Sequence, residues 1–172
     1  MATFTIKRPQ LLGYDDEVNT ATTVLVDASG TAFTRNDIVT VATTGASKLA
    51  AGGASAVKMA IAAEDSADSY TEPIVGQSQG RSTGSKQVLS IKAPVRLIMS
   101  TKGALAQANI GVKYALAYNS TSSLGDLTLV VDQSTTSNSV ATIQGVADPE
   151  FGGDIGDTSV RVIVQIDDSA AF

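Results

Sequence analysis

Thr158-Ser-Val-Arg-Val-Ile-Val-Gln-Ile-Asp167 is the stretch on which the fold class turns. Val160, Val162, Val164 and Ile166 recur at a spacing of two, with Arg161, Gln165 and Asp167 on the other register. Successive side chains of a strand point to opposite faces, so this spacing predicts one buried and one wetted face. Branched Val and Ile are stiff at χ1 and pack well on a pleated surface. The same reading extends to 139–146, 126–132, 110–118, 94–99, 87–91 and 37–42. Residues 55–64 alternate too, with Val57, Met59, Ile61 and Ala63 on one face and Lys58 and Glu64 on the other. Shorter runs at 23–27 and 31–35 flank Ala28-Ser29-Gly30, which predicts a hairpin.

One stretch argues for helix. Residues 46–67 are rich in Ala, a strong helix former. Gly45, Gly52 and Gly53 interrupt it, and the spacing of two favours strand. A short helical turn near 103–108 is the other helical candidate. The chain therefore reads as all-β.

Two segments stand apart from these strands. Residues 1–20 carry Phe4, Ile6, Leu11, Leu12 and Tyr14 around Pro9, with Asp15-Asp16-Glu17 behind them. That stretch is too short for an independent fold and too apolar for a free tail. It reads as an extended N-terminal arm, with 21–172 as the single domain. The arm would dock on its own domain, on a sister subunit or on a different protein, and those five apolar residues are the candidate interaction residues. Residues 65–86 form a long polar connection with at most a short strand at 73–76.

Composition removes whole classes of chemistry. The 172 residues include no His and no Cys, which excludes Ser-His-Asp and Cys-His catalysis, thiol redox chemistry and Cys/His zinc sites. Aromatic residues make up 5% and Trp is absent, which weakens a sugar- or base-stacking platform. A net charge of −5 disfavours nucleic acid and anionic membranes as partners. No apolar run reaches the length of a membrane helix. Met1–Arg8 lacks an apolar h-region and reads as a natural start. A cysteine-free chain fits folding in a reducing cytoplasm.

Charge is split along the chain. Residues 73–125 hold six Lys or Arg (Arg81, Lys86, Lys92, Arg96, Lys102, Lys113) and no acid, whereas 126–172 hold eight acids and only Arg161. Either the two sets neutralise each other within one domain, or they set up head-to-tail contact between copies.

The candidate motifs are weak. Gly76, Gly80 and Gly84 lack the spacing of a phosphate loop, and a strand follows rather than a helix. Ser55-Ala-Val-Lys58 matches S-x-x-K formally, but three-apart residues of a strand face opposite ways. The Asp148-Pro-Glu150-Phe-Gly-Gly-Asp154-Ile-Gly-Asp157 loop offers oxygens to a hard cation, yet Asp and Gly are ordinary turn residues. A structural turn is the preferred reading. The same acids lack the aromatic platform of a glycosidase. Asn119-Ser-Thr is a formal glycosylation acceptor without a secretory context. No catalytic, cofactor or metal residue is assigned, and the chain is read as a non-enzyme.

The order of segments carries a family resemblance. Asn36-Asp37-Ile38-Val39 precedes Met59-Ala-Ile-Ala-Ala-Glu-Asp-Ser-Ala67, then Ile74-Val75-Gly76 and Arg96-Leu-Ile-Met-Ser-Thr-Lys-Gly-Ala-Leu105. Val112-Lys113-Tyr114, Thr142-Ile-Gln-Gly-Val-Ala147 and Val160-Arg-Val-Ile-Val164 follow. This progression, over about 30–166, resembles the head decoration (cement) proteins of tailed bacteriophages. The resemblance implies a small, tulip-like β-barrel or β-sandwich with an extended arm. It further implies a homotrimer at three-fold sites on the outer capsid surface of the virion. There it would bind the major capsid protein after synthesis in the bacterial host cytoplasm. A receptor- or glycan-binding β-module of a tail fibre or baseplate is the alternative. A hydrolase comes third, supported only by scattered acids.

Overall fold

The computed structural model describes residues 1–4, 6, 7, 9–14, 19, 21–26, 33, 35–49, 59–63, 85–92, 94–120, 127–137, 139–150 and 152–167. Among these the chain is all-β. Its strands are β1 (Gln10–Gly13), β2 (Ala21–Leu25), β3 (Ile38–Ala42), β4 (Gly45–Lys48), β5 (Met59–Ala62) and β6 (Ser85–Ser90). They continue with β7 (Val95–Ser100), β8 (Lys113–Ser120), β9 (Leu127–Asp132), β10 (Ala141–Val146) and β11 (Arg161–Ile166). A single 3₁₀ turn, Gln107–Asn109, meets the expected helical turn at its end.

Two antiparallel sheets result, of six strands in the order β1-β7-β11-β10-β8-β9 and of five in the order β2-β6-β5-β3-β4. Register in the first sheet follows from the period of two. Val162 lies opposite Met99, Val164 opposite Leu97 and Ile166 opposite Val95. All six are at most 1% exposed, each worth about 1.5–3 kcal/mol of burial. A slip of one residue would turn all of them to solvent, so the register is tightly specified.

Met59 and Ile61 meet that same core, together with Ile38, Leu89 and Ile91. The alternate residues Ala60 and Ala62 face a second, smaller cluster with Val39, Ala46, Val88 and Phe33. Strand β5 is therefore buried on both faces, not on one as the alternation alone suggested. Ala at alternate positions leaves room for the Phe33 ring.

The hairpin expected at 23–27 and 31–35 is corrected. Strand β2 pairs with β6 instead, Ala21 opposite Leu89 through Leu25 opposite Ser85. Phe33 is buried outside any strand, and Arg35-Asn36 form a turn with Asn36 at φ 68°. Asn tolerates that left-handed conformation better than a branched residue would. Ala28–Gly30, residues 51–58 and the 65–84 connection, with the glycine series and the S-x-x-K match, lie outside the described residues.

Val26, next to β2, bridges Ala46 of β4 in parallel and so links the two ends of the five-stranded sheet, while Thr101, next to β7, bridges Val131 of β9 in parallel. Between the sheets sits a buried polar joint. Lys48 Nζ is 3.0 Å from Asp37 Oδ2, with side chains 5% and 1% exposed. Lys48 also lies 5.1 Å from the centre of the Tyr118 ring. Tyr118 donates its hydroxyl to the Leu49 carbonyl. Burial pushes the Tyr118 hydroxyl well above its ordinary pKa, and the Asp37 charge adds to the effect, so it stays a donor.

Candidate functional site

The loop between β10 and β11 is shaped by glycines. Gly153 has φ +87° and Gly156 φ +97°, conformations that side-chain-bearing residues rarely adopt. Gly152 N–H donates to the Asp148 carbonyl at 2.6 Å, and its own carbonyl accepts from Arg161 N–H at 2.8 Å. The far end is fastened to 104–105: Leu105 N–H donates to Asp157 O at 3.0 Å, and Gly156 N–H to Leu105 O at 2.7 Å. Ala104 bridges Thr158 in antiparallel fashion.

On the other side of Thr158 lies the start of the arm. Thr3 pairs with Thr158 in parallel. Thr158 N–H donates to Ala2 O at 2.8 Å, and Phe4 N–H to Thr158 O at 3.0 Å. Ala2 N–H donates to Asp157 Oδ1 at 2.6 Å, and Asp154 N–H reaches Asp157 Oδ2 at 3.3 Å. These two backbone donors, Ala2 first, hold the Asp157 carboxyl below its ordinary pKa, helped by the nearby terminal ammonium.

The Phe4 ring packs against the bare backbone of Gly153. A Cβ on Gly153 would stand 2.6 Å from a Phe4 ring carbon and 3.3 Å from Val160. Further along, Lys7 N–H donates to Ser100 Oγ at 3.1 Å. Pro9 is buried. Strand β1 then joins the sheet beside β7, Gln10 opposite Ile98 and Leu11 opposite Leu97, with a bulge before Gly13. Arg161 fixes the strand's start by donating to Gln10 Oε1 at 3.1 Å.

The five candidate interaction residues thus divide into two groups. Phe4, Ile6 and Leu11 are half-buried, Leu11 against the main core. Leu12 and Tyr14 stand 48% and 46% exposed. Strand β1 ends its sheet, so its outer backbone groups face no strand among the described residues. Leu25, 62% exposed, stands on β2, whose outer side meets β4 at the Val26–Ala46 bridge. Open edges with apolar side chains are templates for pairing with another chain.

A depression of about 490 Å³ lies elsewhere among the described residues. Lys102, Asn109, Asp132, Gln133 and Ser134 line it. Partial burial pushes the Asp132 carboxyl up, but hydrogen bonds from Lys102 at 2.7 Å and Ser134 Oγ at 2.5 Å outweigh it and hold it low. A carboxylate so paired is a poor general base, and Ser134 spends its proton on it. The arrangement braces a turn and activates no nucleophile.

The charge split resolves partly within the chain. Lys102 pairs with Asp132, and Lys113 with Asp167, each joining the basic stretch to the acidic one. In the acidic loop, Asp154 Oδ1 accepts from Ile155 N–H at 2.7 Å, and Asp157 accepts from Ala2 and Asp154. No group of three or more potential metal ligands occurs among the described residues. Neither the Gly153 pad nor the buried Lys48–Asp37 pair carries a signal in the sequence. Comparison with protein-family models, curated proteins and solved structures finds no match for this chain.

Proposed function

We propose that the chain is a structural decoration protein of a phage head. It binds the outer capsid surface and reinforces contacts between major capsid protein subunits, as a homotrimer at three-fold sites. The observation carrying the proposal is strand β1, a sheet edge with Leu12 exposed on it and Tyr14 exposed just beyond its end. An edge of this kind gains by adding a partner's strand, whose main-chain bonds supply affinity while the side chains supply specificity. The segment order that resembles cement proteins names the partner. A core of paired strands, with no activated group among the described residues, fits a load-bearing role. Repetition of a modest contact around a symmetric site raises its strength through effective concentration. The same reading extends to shape: the Val26–Ala46 and Thr101–Val131 bridges favour a barrel-like curl of the sheets.

The test mixes the purified chain with expanded empty phage shells and sediments them, with light scattering on the free protein. Stoichiometric co-sedimentation is expected, with a loss of at least tenfold in apparent affinity for the L12D/Y14D variant. No shell binding, with a monomer at high concentration, overturns the proposal and turns attention to cell-surface ligands.

A further inference from the structure

Lysine meets aspartate at Lys102–Asp132, Lys113–Asp167 and Lys48–Asp37, and water reaches the first two. The Lys102 and Lys113 side chains are 47% and 42% exposed. The third pair is sealed, with Lys48 Nζ 3.0 Å from Asp37 Oδ2 and hardly any of either side chain accessible. Backbone bonds fix both partners. Val39, two residues beyond Asp37, lies opposite Lys48, and Leu49 N–H donates to Ile38 O at 2.9 Å. Ala62 N–H donates to Asp37 O at 2.9 Å from the other neighbouring strand. The Tyr118 ring stands 5.1 Å from Nζ, and its hydroxyl is bonded to the Leu49 carbonyl.

We propose that this pair is a cross-linking site, at which Lys48 Nζ and Asp37 Cγ condense to an intramolecular amide. Cγ is one bond beyond the oxygen that Nζ already touches, so the reacting atoms need little movement. The ammonium first passes a proton to Asp37 Oδ2. The Nζ lone pair then attacks Cγ and forms the Nζ–Cγ bond. A second Nζ proton goes to the departing hydroxyl, the Cγ–Oδ2 bond breaks, and one water leaves. Ammonium and carboxylate thus become a neutral amide and water, with no other reactant. In bulk solvent, hydration of the two ions and abundant water oppose that condensation. Inside the joint both terms change sign: the ions are poorly hydrated, which burial makes costly, and little water is present to hydrolyse the product. A chain without cysteine would gain a covalent tie between β3 and β4 that reducing conditions leave intact. The bond does not depend on what the chain binds.

The test compares intact masses of the purified parent chain and of K48R, both folded, incubated and then denatured. Arg keeps the positive charge beside Asp37, but its guanidinium is a poor nucleophile. The parent is expected to be one water lighter than its sequence, with the linked form at least tenfold in excess, and trypsin should no longer cut after residue 48. K48R should have the full mass of its sequence, as should parent chain kept in urea throughout. A folded parent of full mass that trypsin cuts after Lys48 overturns the proposal. A loss of water that persists in K48R also overturns it, because it assigns the loss to ring closure within an aspartate.

Discussion

Asp37 and Asp157 both tie together parts of the chain that are distant in sequence, and burial sets them apart. Asp37 is 1% exposed and meets the Lys48 ammonium inside the joint between the sheets. Asp157 is at the surface and holds two backbone N–H groups at the rim of a groove. Removing a carboxylate and ammonium from water is costly, so the inner pair works only as a complete unit. Nothing comparable penalises the outer contact, because water replaces whatever leaves. The inner contact therefore fixes the fold, and the outer one is suited to open and close.

The largest expected effect breaks the inner pair. Lys48→Met leaves the buried Asp37 carboxylate without its ammonium and should cost about 3–5 kcal/mol in urea unfolding. The K48M/D37L double variant, which removes both charges, should recover most of that loss. Single and double variants of equal stability would show that the pair does not act as a unit.

An intermediate effect is expected at the groove. Gly153→Ala places a Cβ against the Phe4 ring at a backbone φ of +87°. It should cost about 1–2 kcal/mol. Amide exchange at Phe4 and Thr158 should accelerate at least tenfold, while β7 and β11 keep their protection. Faster exchange throughout the core would mean that the arm is integral to the first sheet.

Acid gives the smallest effect and the sharpest contrast. Asp157 has a folded pKa below its unfolded value, so its contribution is fully present above about pH 4. It is lost as pH falls through the depressed folded value. Amide protection at Ala2 should drop over that window in the parent protein. In D157N it should be low at neutral pH and change little on acidification. A parent-like acid response in D157N would assign the effect to another group.

Much of the first sheet was legible because β7, β10 and β11 are long enough for alternation to show. Strand β4 was not, since Gly45-Ala-Ser-Lys48 carries no large apolar residue. It is a strand because β3 turns back at Thr43-Thr44 and offers it hydrogen bonds, a tertiary fact. Ala60 and Ala62 concealed the second buried face of β5 in the same way. At the candidate site, Phe4, Ile6 and Leu11 announced an apolar arm, but the slot receiving Phe4 is made of glycine. A glycine pad carries no side chain from which its occupant can be read. The sign of the charge split was legible, whereas the Lys102–Asp132 and Lys113–Asp167 pairings depended on strand order.

Thr158 is bonded on both sides, to Ala104 and to Thr3, and Ala2 meets Asp157 across 155 positions of sequence. Contacts that close so long a loop form late, once nearer pairings have shortened the path. Residues 2–4 leave the ribosome before any of their partners exist. They stay unplaced until the 104–105 segment and the β10–β11 loop have met. The earliest-made piece of this contact is thus the last to be seated.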